Sequence, residues 1–253
     1  DFLFLQAPWE AKAVRETIDE ALGATSSVGS VPTWVLSNHD VVRHPTRYGL
    51  PRDVAAKEWL LDGDRDLLDA ARGLRRARAA TLLMLALPGS AYLYQGEELG
   101  LPEVHELPEA ALEDPVWERS GNTEKGRDGC RVPLPWTREG PSFGFGSVGC
   151  WLPQPEGWGE LSVEAQEGAP GSTLELYRAA LRLRSEYLAD DEDLSWMEPG
   201  GDIVAFRRGS GVVCLVNYGD APVRVPDGKV LISSGPLAGE AVPADTAVWV
   251  LAS

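Results

Sequence analysis

Asn38, His39 and Asp40 stand in a row within WVLSNHDVVRHPTRYG, Trp34 to Gly49, directly after the strand-forming run TWVLS. A carboxylate at Asp40 could act as a base, a nucleophile, a metal ligand or a stabiliser of positive charge, and His39 could donate a hydrogen bond to a substrate. The plainer alternative is that Asn38 and Asp40 only shape a turn through side-chain-to-backbone bonds. His39, Asp40 and His44 are close in sequence, and His105 is the one other histidine. They lack the regular spacing and second ligand cluster of a zinc site, so the expectation is no metal and no cofactor. Glu97 and Glu98 in YQGEELG could do acid–base work, but neighbouring side chains diverge, so at most one faces a pocket; a simple loop pair is the alternative. In RDGCRVPLPW, Arg127, Asp128 and Arg131 lie beside a glycine, two prolines and Trp136. A planar guanidinium there could grip a hydroxyl-rich or anionic ligand, or it could brace the loop as an ion pair. Nine tryptophans offer faces suited to sugar rings, although half-buried packing is their commoner use.

The elements that must position these groups follow from periodicity. Phe2 to Leu5 form a short apolar run with the pattern of a buried strand. PWEAKAVRETIDEALG follows as a helix, with Pro8 suited to its start, Gly23 to its end, and Val14, Ile18, Ala21 and Leu22 on one face. TWVLS is a second strand and SAYLYQGEELG a third; the helical patterns VAAKEWLL and DLLDAARGLRRARAATLLMLALPG lie between them. Alternating strand and helix predicts a parallel α/β arrangement. Residues 101–171 have no sustained periodicity, and a loop that long is uncommon unless it carries function or is disordered. STLELYRAALRLRSEYL resumes as a helix, with Ser172 and Glu175 at capping-box spacing. After about Asp190 come the short β-rich runs DIVAFRR, VVCLVNY, APVRV, KVLIS and AVWVL, separated by turn residues, which predict a small antiparallel β domain. The expected organisation is 1–189 for the α/β part, with its long loop 101–171, and 190–253 for the β domain. Three strand–helix units do not close an eight-unit barrel, so the pattern fits either an unusual open sheet or the back end of a barrel.

The 253 residues are 43% hydrophobic, which supports a sizeable core, and the net charge is −16. Phosphate binding needs a basic face, so nucleic acid is not the expected partner. No apolar run reaches the roughly 18 residues of a membrane span, so a membrane is not expected either. Cys130, Cys150 and Cys214 lack C-x-x-C spacing; they fit free thiols in a reducing compartment, and a cytoplasmic location is expected.

Together these segments resemble the α-amylase superfamily, glycoside hydrolase family 13, and within it the bacterial α-glucosidases and oligo-1,6-glucosidases. LSNHDVVR is similar to that family's fourth short signature at the end of barrel strand seven, and YLYQGEELGLPEV resembles its strand-eight segment. RDGCRVPLPW is similar to the RDG-x-R-TP-x-P/Q-W loop, DFLFLQAPWEAKAVRETID to strand six and its helix, and the β-rich tail to the C-terminal domain. The resemblance implies strands six to eight of a (β/α)8 TIM barrel followed by a small antiparallel β domain. It implies a retaining α-glucosidase that removes terminal α-linked glucose from oligosaccharides. Asp40 is then the carboxylate that stabilises the positively charged transition state of the sugar ring. By the same resemblance His39 and Arg131 bind the sugar, with Arg127 a further binding residue. Glu97 and Glu98 match positions that are not catalytic, and Asn38 would hold the turn.

The family's nucleophile Asp and general acid Glu sit in signatures after strands four and five, and neither signature occurs in these 253 residues. Both are expected upstream of Asp1, so the chain reads as a C-terminal fragment that is inactive by itself while its parent is active. The rival readings are a transglycosylase of the same superfamily, of the trehalose or isomaltulose synthase type, and a non-catalytic relative kept as a scaffold. Upstream sequence lacking the two carboxylates would favour the scaffold.

Overall fold

The computed structural model describes residues 1–189 and 191–252; Asp190, where the β domain was expected to begin, lies outside them. The chain opens with helix α1 (Phe2–Gln6) where a strand was expected. The Asp1 carboxylate accepts hydrogen bonds from the backbone N–H groups of Leu3 and Phe4 at 2.7 and 2.9 Å, capping the helix. Phe4 and Leu5 are buried while Phe2 and Leu3 are exposed, a one-sided pattern rather than the alternation of a strand. Helix α2 (Ala11–Ser26) starts after Pro8 and runs through Gly23 rather than ending there. Its buried stripe is Ala11, Val14, Ile18 and Ala21.

Strand β1 (Thr33–Val35) leads into the polar triplet. Three helices follow: α3 (His44–Gly49), α4 (Ala56–Asp62) and the long α5 (Ala70–Ala86). Strand β2 (Ser90–Tyr92) pairs with β1 in parallel, with Trp34 opposite Ala91. Gly89 makes the entry to β2 possible. It has φ +92°, and a Cβ there would sit 2.3 Å from the Pro32 carbonyl oxygen. The expected long loop contains only short turns of helix, among them α6 (Val116–Arg119) and α7 (Val163–Gln166). Helix α8 (Thr173–Tyr187) then follows, and the Ser172 hydroxyl accepts the Glu175 N–H at 3.2 Å, as the capping-box spacing predicts.

The β-rich tail forms a five-stranded antiparallel sheet in the order β3-β4-β5-β9-β7. Its strands are β3 (Leu194–Met197), β4 (Ile203–Arg208), β5 (Val212–Asn217), β7 (Lys229–Ser233) and β9 (Thr246–Leu251), with β6 (Val223–Arg224) and β8 (Ala241–Val242) pairing separately. The sequence pattern missed β3, whose LSWM is too short and mixed to read as a strand. Antiparallel pairing with β4, Leu194 opposite Arg208 and Met197 opposite Ala205, defines it; Trp196 Nε1 also donates to Asp19 on α2 at 2.6 Å, and the Arg15 guanidinium lies 4.8 Å from the Trp196 ring centre.

The contacts divide the chain into two compact units. One unit holds residues 1–36, 75–93 and 176–252, and therefore both parallel strands and the antiparallel sheet. Every residue of β5 is buried there, and Trp249 on β9 donates its indole N–H to the Leu82 carbonyl of α5 at 3.0 Å. The other unit holds residues 37–74 and 94–175 and contains every candidate site residue. Its interior includes one cluster around Leu99, Leu101, Val132 and Trp158 and another around Val42, Leu50, Trp59 and Leu60. Among the described residues, no helix is long and apolar enough to cross a membrane.

Candidate active site

The turn after β1 is built from its own polar side chains. Asn38 Oδ1 accepts the Asp40 N–H at 2.8 Å, the local bond by which an Asn shapes a turn. Ser37 Oγ accepts the His44 N–H at 3.0 Å and lies 2.9 Å from His44 Nδ1, closing the segment from below. His44 is fully buried against Tyr48, and burial holds its imidazole well below the ordinary range, so it stays neutral at physiological pH. It therefore braces the turn, which presents His39 and Asp40 at its exposed tip.

Asp40 receives two guanidinium groups on one oxygen. Arg127 Nη1 donates to Oδ1 at 3.0 Å and Arg131 Nη2 at 3.2 Å. Arg131 Nε also donates to the His39 carbonyl at 2.9 Å, and His39 Nε2 lies 3.3 Å from Asp40 Oδ2. The Asp40 side chain remains 46% exposed, so a ligand can reach the carboxylate. The structure thus brings together the four residues singled out from the sequence, His39, Asp40, Arg127 and Arg131. Glu97 is buried, and Glu98 folds back to accept the Gly96 N–H at 2.8 Å; neither lines the cavity beside Asp40.

Asp114 and Asp128 hold the arginine side of the site. Asp128 is buried and accepts the N–H groups of Glu113 and Asp114, each at 2.9 Å. Asp114 in turn grips Arg127 through its Nε and Nη2, and this pairing holds the Asp114 carboxyl down at about 2 while raising the Arg127 guanidinium further. Arg127 is therefore aimed at Asp40 by a second carboxylate that the sequence reading did not single out.

Arg43 and Glu103 were also missed. Arg43 is buried and donates to the Gln95 carbonyl and to the Cys130 carbonyl, both at 2.8 Å, tying the segment after β2 and the RDG loop to the turn. Its backbone N–H donates to Glu103 Oε2 at 2.8 Å. Burial pushes the Glu103 carboxyl up to about 7, and the Arg43 bond and charge only partly offset this. Glu103 Oε1 lies 2.2 Å from where a Cβ on Gly129 would be, so the glycine of the RDG motif is fixed by close approach. A charged residue inside the run LGLPEV was the available signal for Glu103; Arg43 ended the signature segment but carried no separate sign of burial.

A cavity of about 330 Å³ adjoins this group and is lined by Asp40, Lys57, Glu103, Asp114, Lys125 and Arg127, among others. Cys130 also lines it, but burial pushes its thiol up to about 12, so it is not a nucleophile near neutral pH. Among the described residues no group of three or more metal-ligating side chains gathers. What remains is an accessible carboxylate, oriented by two arginines, at the carboxyl end of a parallel strand. Such an anion can stabilise positive charge developing on a bound ligand.

The α-amylase family, described as "Alpha amylase, catalytic domain", matches residues 3–191. A protein of Rhizobium meliloti (strain 1021) described as "Probable alpha-glucosidase" is 38% identical over 74% of this chain and 31% of its own length. The salivary α-glucosidase of Anopheles gambiae is 29% identical over 78% of this chain and 30% of its own length. The chain thus spans about a third of the length of these relatives. Among solved structures, an α-glucosyl transfer enzyme, XgtA, superimposes with a TM-score of 0.71 at 30% identity, covering 96% of this chain and 44% of that one. A trehalulose synthase, MutB, superimposes at 0.68 with 21% identity over 95% of this chain and 46% of that one, a likeness of fold alone. With the matched stretch, the parallel strand pair and the antiparallel sheet in agreement, the chain belongs to the α-amylase family, the TIM-barrel glycoside hydrolases of family 13.

Proposed function

We propose that the chain is part of a retaining α-glucosidase that releases terminal glucose from α-linked oligosaccharides, with Asp40 stabilising the transition state. The observation that carries this reading is the Asp40 carboxylate, reachable by ligand and held by Arg127 and Arg131 at the end of β1. Positive charge grows on the sugar ring as the glycosidic bond breaks. A fixed anion stabilises that state more than the neutral substrate, which is the condition for lowering the barrier. His39 and Arg131 bind sugar hydroxyls, and Arg127 supports both the ligand and Asp40. In this reading β1 and β2 are barrel strands seven and eight, residues 1–189 are a partial catalytic barrel, and 190–253 are the C-terminal domain. The free thiols fit a reducing cytoplasm.

The two-step retaining mechanism needs a nucleophile and an acid on the two faces of the bond. Two of the carboxylates that line the cavity beside Asp40 are otherwise engaged: Asp114 is paired with Arg127 and Glu103 is buried against Arg43. We therefore expect the 253-residue chain to leave p-nitrophenyl α-glucoside intact, and a longer form carrying the nucleophile and acid to hydrolyse it with α-glucose as first product. Hydrolysis by the chain alone, or β-glucose from the longer form, would overturn the reading. A transglycosylase is the second reading, favoured by the 30% identity to an α-glucosyl transfer enzyme. Products from maltose and sucrose separate the two, because a hydrolase yields mainly monosaccharides.

A further inference from the structure

Glu103 is buried, yet it touches three segments of the site-bearing unit at once. Its backbone N–H donates to Thr46 Oγ1 on α3 at 2.8 Å. Its Oε2 accepts the Arg43 N–H at 2.8 Å, where the turn that carries Asp40 meets α3. Its Oε1 lies against Gly129: a Cβ there would stand 2.2 Å from that oxygen and 2.3 Å from the Val104 carbonyl oxygen. Gly129 falls midway between Arg127 and Arg131, the pair that donates to Asp40 Oδ1. Cys130, next along, is held as well: its carbonyl accepts Arg43 Nη2 at 2.8 Å and the Tyr94 hydroxyl at 3.0 Å. A carboxyl group that touches both the Asp40 turn and the glycine between the two arginines can fix one against the other.

We propose that Glu103 is a positioning residue: it seats the RDG loop on the turn after β1 and so sets how firmly Arg131 holds Asp40. The consequence for turnover rests on the glucosidase reading of Asp40; the seating itself does not. The seat is also sensitive to protons. Burial raises the Glu103 carboxyl to about 7, and the nearby charges of Arg43 and Arg47 offset this only in part. The neutral acid therefore suits the buried seat, whereas the carboxylate is under-compensated there and is drawn towards water. Among the other groups packed on it, burial raises the Tyr94 hydroxyl and the Cys130 thiol and lowers the His105 imidazole, so these three keep their charge near neutral pH. The cavity wall that Glu103 shares sets Asp40, Asp114 and Glu124 against Lys57, Arg119, Lys125 and Arg127, close to balance. As pH rises through about 7, ionised Glu103 should loosen its hold on Gly129, and Arg131 should loosen with it.

The test is rotation of the Arg131 guanidinium about its Nε–Cζ bond in the purified 253-residue chain, read by NMR from exchange between its two Nη signals. Rotation is slow while Asp40 holds Nη2 and quick once it lets go. Arg127 has Asp114 to hold it as well, so Arg131 is the more sensitive reporter. His39 places an imidazole 3.3 Å from Asp40, and for this reason both proteins compared carry His39→Gln. In the protein with Glu103, rotation is expected to quicken as pH rises, half-way at about 7. Glu103→Gln keeps the shape of the protonated side chain, so its rotation should stay slow throughout. A role in packing alone would leave rotation independent of pH. Unchanged rotation on both sides of pH 7 in the protein with Glu103 would overturn the proposal, and that result needs no variant to fold. The same quickening in Glu103→Gln would overturn it too. In a form that carries the nucleophile and the acid, kcat/KM of Glu103→Gln for maltose, relative to the parent, should rise over the same range. If rotation responds as expected and that ratio stays flat, the seating stands and the sugar reading of Asp40 and Arg131 fails.

Discussion

Asp40 depends on its partners more than on its own position. Arg131 touches Asp40 and the His39 carbonyl together, so Arg131→Ala should loosen both groups. In a catalytically complete form we expect KM for maltose to rise by about tenfold or more, the scale of a lost charge-assisted bond; an unchanged KM would remove Arg131 from binding. Glu103 makes a different prediction, on stability. Its carboxyl is raised from 4.5 to about 7, so the folded state holds the proton more tightly than the unfolded chain. That contribution is fully present below the ordinary value and lost as pH rises through about 7, on the order of 1–3 kcal/mol. Glu103→Gln should therefore flatten the fall in melting temperature between pH 5 and 8, and an undiminished fall would show that another group titrates. Asp114 has the opposite sign: its contribution is present above 3.8 and lost as pH falls through about 2. Asp40, His39 and the arginines stood out as polar residues at a strand end and beside a glycine, but the residues alone left turn-shaping and loop-bracing readings open, and only the family resemblance gave them roles. Asp114 was not legible, because its role comes from a fold that brings it to Arg127 from 13 residues away.

At the scale of elements, helices α3 and α5 cross at glycines. A Cβ on Gly73 would meet the Pro45 carbonyl oxygen at 2.1 Å and Gly49 Cα at 2.9 Å. Gly73→Ala should destabilise the chain by about 1–3 kcal/mol, because backbone rather than a flexible side chain must move. Gly23→Ala should do the reverse, since its Cβ meets nothing within 4 Å in the last turn of α2. A helical Gly→Ala change there is worth about 0.5–1 kcal/mol of added stability. Thermal melts of the two variants moving in the same direction would contradict this account of the crossing. The long helices were readable from their periodicity, which is why α5 and α8 agree with expectation closely. Phe2–Leu5 was misread because a four-residue apolar run satisfies both periods, and the cap from Asp1 decides between them. The segment 101–171 was readable only as a loop. Its order comes from side-chain bonds to distant backbone, such as Gln166 Nε2 to the Leu99 carbonyl at 2.9 Å, which no local pattern announces.

For the molecule as a whole, family membership and the position of Asp40 lead to one chemical claim. In the proposed reading, the carboxylate at the end of β1 faces a cationic sugar carbon in the transition state and contributes little to holding the neutral substrate. The most direct measurement is the turnover of maltose by Asp40→Asn, in a form of the protein that carries the nucleophile and the acid. The account predicts that kcat falls by about a hundredfold or more while the fold and its melting temperature are kept, as when other preorganised charges are removed from a transition state. A variant that turns over at the parental rate would contradict it and leave Asp40 as a turn residue with two arginines for company.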